Sequence, residues 1–199
     1  MTFLIATKNL HKLEEMQRIL SPLGISCICE RDLEAPLPEV EETGETFAEN
    51  ALLKAESALK VTGLPVIADD SGLCVNALGG RPGVYSSRYA GEQAGSAENI
   101  EKLLGEMQEK TDRTAYFCCY IVCLLPDGRR IDFDGRCEGE IMNEPQGQNG
   151  FGYDPVFLSE FGSFALITAA QKDSISHRGR ALRGLFDKLK TYMEENIHD

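Results

Sequence analysis

The chain has 199 residues, with 20 Lys and Arg against 32 Asp and Glu, a formal net charge of -12, and 42% apolar against 26% charged residues. That composition is globular rather than disordered, and its acidity excludes general binding to DNA or RNA backbones, so phosphate would have to be met at a local basic pocket. The apolar run from Phe3 to Ala6 is too short for a signal peptide and no segment is long enough to span a bilayer, so a cytoplasmic protein with no membrane partner is expected.

In chain order, Thr2 to Ala6 reads as a short buried strand and Thr7-Lys8-Asn9 as a tight polar turn, with Asn9 capping a helix from Leu10 to Leu20. A strand, a turn and a helix start leave backbone N–H groups facing whatever lies beyond the strand, and Lys8, His11 and Lys12 add positive charge there. Ile25 to Cys29 is a second strand. The stretch 30–45 is irregular, and its acids Glu39, Glu41 and Glu42 read mainly as a solvated loop. Thr46-Phe47-Ala48-Glu49 is a capping box that opens a helix to about Val61. Gly63 and Pro65 stop it, and Asn50 and Lys54, four apart, share one of its faces.

Val66 to Val75 is the unusual stretch, because an apolar run meets Asp69-Asp70-Ser71-Gly72 and then turns apolar again. Adjacent side chains on a strand point to opposite faces, so the two acids are not expected to hide in a core together. The economical expectation is a strand that ends at the acids and presents a carboxylate, with Gly72 turning the chain. The competing one is an Asx-type turn with both acids in water.

A glycine-rich loop follows from Ala77 to Tyr89, then a helix capped by Ser96 and running to about Glu109. Thr114 to Leu125 reads as a strand buried on both faces, and Pro126 to Arg129 as a hairpin turn into a half-exposed strand carrying Ile131, Phe133 and Cys137 inward. After a polar turn at 143–150, Phe151 to Phe157 reads as a strand start walling a pocket, Phe164 to Ile167 as a short strand, and Thr168 to Asp173 as a helical turn. Ser176 caps the last helix, with Leu182, Leu185, Phe186, Leu189 and Met193 as its core stripe. His177, Arg178 and Arg180 in its first turn oppose the helix dipole, so an anion is expected to sit with them. The seven Cys, an odd number without a Cys-x-x-Cys pair, read as small core hydrophobes of a reducing compartment, and with three His a zinc centre is disfavoured. No repeat or linker divides residues 1–199, which are taken as a single domain.

Three clusters then complement one another: Lys8, Asn9 and Lys12 at a helix start; Glu41, Glu42, Asp69 and Asp70; and Lys172, His177 and Arg178. Carboxylates beside cations and helix N-termini suit a magnesium–polyphosphate site. No Gly-x-x-x-x-Gly-Lys-Ser/Thr stretch is present, so this is not a P-loop chain.

Six segments carry a resemblance: Ala6-Thr-Lys-Asn-Leu-His-Lys12, Glu41 through Ala55, Ala68-Asp-Asp-Ser-Gly-Leu73, Leu78 through Gly91, Gly150-Phe-Gly-Tyr-Asp-Pro155 and Ile175 through Leu182. In this order and spread over nearly the whole chain, they resemble the inosine triphosphate pyrophosphatase family. The resemblance implies an α/β fold, a long mixed central sheet in two lobes around an active-site cleft, and a homodimer. It implies hydrolysis of ITP, dITP and XTP to the nucleoside monophosphate and pyrophosphate, with Mg²⁺ as cofactor. By motif, Thr7, Lys8, Asn9, Leu10, His11 and Lys12 would hold the triphosphate. Asp70 would be the catalytic base and a metal ligand with Glu41, and Ser71 would touch substrate. Phe151, Gly152, Tyr153 and Asp154 would line the base and sugar pocket, and Lys172, His177 and Arg178 would read the base edge or phosphates. One departure is Gly162-Ser-Phe-Ala-Leu-Ile167, apolar where the family carries a Glu. A related pyrophosphatase for modified pyrimidine nucleotides and a non-catalytic nucleotide-binding module are the alternatives.

Overall fold

A computed structural model describes residues 2–195, with side chains through 191, so the expected core position of Met193 lies outside the described residues. The fold is α/β. Among the described residues seven strands form one sheet in the order β2-β1-β3-β4-β5-β6-β7: β1 (Thr2–Ile5), β2 (Ser26–Ile28), β3 (Val66–Val75), β4 (Thr114–Leu124), β5 (Arg130–Ile141), β6 (Phe157–Ser159) and β7 (Gly162–Ser163). The sheet is mixed: β1 runs parallel to β2 and β3, whereas β6 runs antiparallel to β5 and β7. The helices are α1 (Leu10–Leu20), α2 (Phe47–Thr62), α3 (Ser96–Glu106), α4 (Ala169–Ile175) and α5 (His177–Glu195). None of them is long and apolar enough to cross a membrane among the described residues.

Two compact units share the chain. One comprises the segments up to Asp70, Cys119–Gly135 and from Arg178 onward. Its strands alternate with period 2. Phe3, Ile5 and Ile67 pack with Leu13 and Met16 of α1 and Leu182, Leu185 and Leu189 of α5. Leu4, Val66 and Ala68 pack on the other face with Ala51, Ala55 and Ala58 of α2. Helices therefore cover both faces of this part of the sheet. That arrangement decides the fate of the acid pair, since Asp69 follows Ile67 toward α1 and α5 and Asp70 follows Ala68 toward α2.

The local signals explain most of the elements. Asn9 accepts the N–H groups of His11 and Lys12 and starts α1. Thr46 and Glu49 close a reciprocal capping box on α2, and Gly63, at φ 66°, ends it in the left-handed conformation that glycine adopts without strain. On α5, Gly184 is a packing requirement: a Cβ there would lie 2.2 Å from the Phe133 ring. Gly184→Ala is accordingly expected to destabilise by about 1–3 kcal/mol through overpacking, although Ala is the better helix former. A urea midpoint lowered at unchanged slope is the expected result, and a raised midpoint would contradict it.

The second unit comprises Ser71–Cys118 and Arg136–His177. Its core gathers Leu73, Val75, Leu103, Met107, Phe117, Phe157 and Phe164. The rings of Phe117, Phe157 and Phe164 meet with centroids 4.7–5.9 Å apart.

Several expectations need correction. β3 does not end at the acids but runs through Ser71 and Gly72 to Val75, because the ladder overrides the local turn preference of Asp-Asp-Ser-Gly. Both acids are buried, Asp69 at 1% and Asp70 at 6% exposure, on opposite covered faces. β4 is buried on both faces only in its second half; Tyr116, Cys118 and Tyr120 are half-buried. Gly95 rather than Ser96 caps α3, its N–H held by Glu98. Phe151 to Val156 is a turn and a 3-10 segment rather than a strand, and the short strand lies at Gly162–Ser163 rather than 164–167, where Ser163 accepts the N–H of Ala165 and turns the chain. None of the seven Cys is in a disulfide among the described residues, and five of them are buried.

Candidate functional site

Asp69 and Asp70 are adjacent in sequence yet occupy two different electrostatic environments. On the α1/α5 face, Asp69 Oδ2 accepts from Arg178 Nη2 at 3.0 Å and Nε at 3.3 Å, and lies 3.1 Å from Lys12 Nζ. The other arm of the Arg178 guanidinium donates to Glu15 on α1. Lys12 and Glu15, three apart on one helix face, thus meet a buried strand carboxylate and a fully buried Arg. Burial alone would raise the Asp69 pKa, but Lys12, Arg178 and Lys54 outweigh it and hold the carboxyl well below the usual range. Asp69 is a fixed anion.

On the α2 face, Asp70 Oδ1 accepts from Lys54 Nζ at 3.3 Å and Oδ2 from Asn50 Nδ2 at 3.2 Å. Lys54 Nζ also donates to Glu42 at 2.8 Å. Burial dominates here and raises the Asp70 pKa; the opposing pull of Lys54 and Lys12 is offset in part by the like charges of Glu42 and Asp69. Burial and neighbouring charges thus push two adjacent carboxyls in opposite directions, Asp69 down and Asp70 up.

In the first unit the structure brings Lys12, Asp69 and Arg178 together and, on the other face, Glu42 with Asp70. Glu41 is exposed, and of the two adjacent glutamates it is Glu42 that meets Lys54. Lys8 is an exposed partner of Glu39 at 3.7 Å; Leu10 and His11 are exposed, and Thr7 Oγ1 accepts the Asn9 N–H. Two of the helix-start N–H groups are already capped by Asn9. The anion expected beside Arg178 is thus supplied by the chain itself, as Asp69 and Glu15.

In the second unit, Asp154 organises a buried cluster. Its Oδ2 accepts from Lys172 Nζ at 2.6 Å and from the Phe151 N–H at 2.8 Å. The Lys172 ammonium lies 4.8 Å from the centroid of the Phe151 ring, which is half-buried. Gly150 is obligatory: its φ is 75°, and a Cβ would meet Asp154 Oδ2 at 2.0 Å. Gly152, half-buried, follows with φ 60°. Tyr153 is a core residue whose hydroxyl donates to the Ser86 carbonyl at 2.9 Å. His177 is buried and stacks on Phe117 at 4.8 Å. Ser71, half-buried, follows Asp70 on β3. At the departure from the family pattern, Ser163 Oγ donates to the Asp154 carbonyl, Phe164 joins the core and Leu166 is exposed.

Glu15, Asn50 and Lys54 are site residues that the sequence motifs alone do not pick out. For Asn50 and Lys54 the signal was present, since they are a helical turn apart on the face that the alternation of β3 assigns to Asp70. For Glu15 it was the i, i+3 spacing from Lys12.

The donor set also bears on a metal. Glu42 and Asp70 are drawn around one ammonium, so the pair accommodates a cation between two hard oxygen donors. Among the described residues no group of three or more His, Cys, Asp or Glu is placed to hold a metal alone. Two carboxylates completed by water and substrate oxygens fit Mg²⁺, which keeps such ligands rather than a protein cage.

A sequence profile of the Ham1 family matches residues 3–188. The chain belongs to the Ham1 family. Among its relatives, the dITP/XTP pyrophosphatase of Bacillus licheniformis is 48% identical over 186 residues, covering 92% of this chain and 94% of the relative. The dITP/XTP pyrophosphatase of Escherichia coli K12 is 46% identical over 192 residues, covering 94% and 96%. A Ham1 protein from Coxiella burnetii superposes with a TM-score of 0.86 at 43% identity, covering 96% of this chain and 99% of that one.

Proposed function

We propose that this chain hydrolyses ITP, dITP and XTP between the α and β phosphates, giving the nucleoside monophosphate and pyrophosphate and removing these nucleotides from the pool. The names of its relatives support the substrate class. The observation that carries the chemistry is the division of Asp69 and Asp70 onto two faces of one buried strand, one held ionised and the other shifted upward.

In this reading Asp70 takes the proton from the attacking water, and burial places its pKa nearer the working pH than that of an exposed Asp. Asp69 stays charged and holds Lys12 at the start of α1, where the ammonium neutralises phosphate oxygens. Asp70 and Glu42, with Glu41 beside it, would hold Mg²⁺. Bound there, the ion would supply Lewis-acid charge stabilisation and lower the pKa of a coordinated water. Lys54, already between the two carboxylates, balances their charge. Phe151 stacks on the purine, and the Lys172 ammonium, oriented by Asp154, donates to a 6-oxo group. Adenine presents a donor in that place, so the ammonium meets an N–H instead of an acceptor, which disfavours it. A cytoplasmic homodimer completes the proposal.

The test is pyrophosphate release with Mg²⁺ and ITP, XTP, dITP, GTP, ATP and dUTP in turn. Preference for the first three is expected; preference for dUTP would replace the purine reading with a pyrimidine one. The pH dependence follows from the direction of the Asp70 shift. Proton and Mg²⁺ compete for the Asp70 carboxyl, whose pKa burial raises in the metal-free protein, so kcat/KM at limiting Mg²⁺ should fall on acidification at a pH above the ordinary Asp value of about 3.9. A profile flat down to about pH 4 would contradict the assignment.

A further inference from the structure

We infer that Asn50 is a positioning residue that clamps the Glu42 loop to Asp70 and thereby sets the spacing of the two carboxylates of the proposed cation site. The inference rests on the Mg²⁺ site proposed above. Asn50 is fully buried in α2. Its Oδ1 accepts the Gly44 N–H at 2.8 Å while its Nδ2 donates to Asp70 Oδ2 at 3.2 Å. The amide can serve both only in this orientation; reversed, it would set donor against donor and carboxylate against carbonyl.

Gly44 lies two residues beyond Glu42, so one side chain ties the loop bearing one carboxylate to the strand bearing the other. Gly44 is not among the glycines with positive φ, and its requirement is close approach. A Cβ would lie 2.7 Å from Asn50 Oδ1 and 2.6 Å from Glu49 Cβ. Glu49 secures the next two residues, its Oε2 accepting the N–H groups of Glu45 at 2.8 Å and Thr46 at 3.0 Å. One helical turn further, Lys54 reaches both carboxylates. The first turns of α2 therefore act as a jig, with Gly44 and Asn50 as its fitted pair. Groups that orient metal ligands in this way typically contribute 10–100-fold to metal affinity or activity.

The test uses Mn²⁺ as a paramagnetic substitute for Mg²⁺, with the unbound ion quantified by electron paramagnetic resonance in the nucleotide-free protein. Wild type is compared with Asn50→Ala, Gly44→Ala and the double variant. Each single variant is expected to weaken Mn²⁺ binding about 10-fold. The double variant is expected to lose less than the product of the two, because both break one clamp. Circular dichroism and thermal midpoints check that the proteins are folded. Should Asn50→Ala fail to fold, Gly44→Ala decides alone, since it removes no core atoms. Variants that bind Mn²⁺ like wild type, even with lowered midpoints, would reduce Asn50 to a structural contact and overturn the inference. Wild type that binds no Mn²⁺ would instead sink the cation site itself.

Discussion

Asp70→Asn is expected to lower the rate of ITP hydrolysis by about 10²–10⁴-fold, the usual contribution of a positioned general base, while leaving the protein folded. The substitution is nearly isosteric; it removes the charge and turns one acceptor oxygen into an NH₂ donor facing Asn50 Nδ2 or Lys54 Nζ. Two effects on stability oppose each other, the donor facing a donor and the relief of a buried charge. The raised pKa of Asp70 means that the fold disfavours its ionised form relative to water, so a neutral amide relieves a cost. Lys54 keeps Glu42 as its counter-charge. The check is kcat measured beside the urea midpoint. Activity within a few-fold of wild type would place the base elsewhere.

Arg178→Ala is expected to act in the opposite sense, through stability. It leaves Glu15 and Asp69 buried without the guanidinium that joins them, and breaking such a pair from one side costs about 3–5 kcal/mol. Arg178→Lys should recover little, because an ammonium cannot span both carboxylates as the planar fork does. The loss has a defined pH dependence. The folded pKa of Asp69 is depressed, so its stabilising contribution is fully present above the unfolded value of about 3.9 and fades as pH falls through the folded value. The gap between wild type and Arg178→Ala should therefore be widest near neutrality and narrow in acid. Urea unfolding across pH measures it, and a gap below about 1 kcal/mol at neutral pH would show that water reaches these charges.

Much of this was legible in the sequence because it depends on local chemistry. Asn9 announces where α1 begins, and Thr46, Glu49 and Gly63 where α2 begins and ends, and the structure uses them in those roles. The sequence-level pattern also singled out Asp69-Asp70. What could not be read was their surroundings. Strand alternation states that the two acids part, but only the packing of α1 and α5 on one face and α2 on the other shows that both faces are closed. Two buried acids on one strand look unfavourable until Lys12, Arg178, Lys54 and Asn50 arrive from segments up to 109 residues away in sequence. The same cause hides the partners of Arg178 at the start of α5. Arg178 looked like half of an anion site for a ligand, and its anions are the chain's own. Choosing between Glu41 and Glu42 likewise needs the hydrogen bond from Lys54, which no spacing rule supplies.

The central claim is hydrolysis at the α–β linkage of a deaminated purine triphosphate. Incubating the protein with Mg²⁺ and ITP in ¹⁸O-labelled water, and resolving the products by ³¹P magnetic resonance, tests it most directly. Inosine monophosphate and pyrophosphate in equal amounts are the expected products. Inosine diphosphate and orthophosphate, or no turnover of ITP and XTP, would contradict that claim.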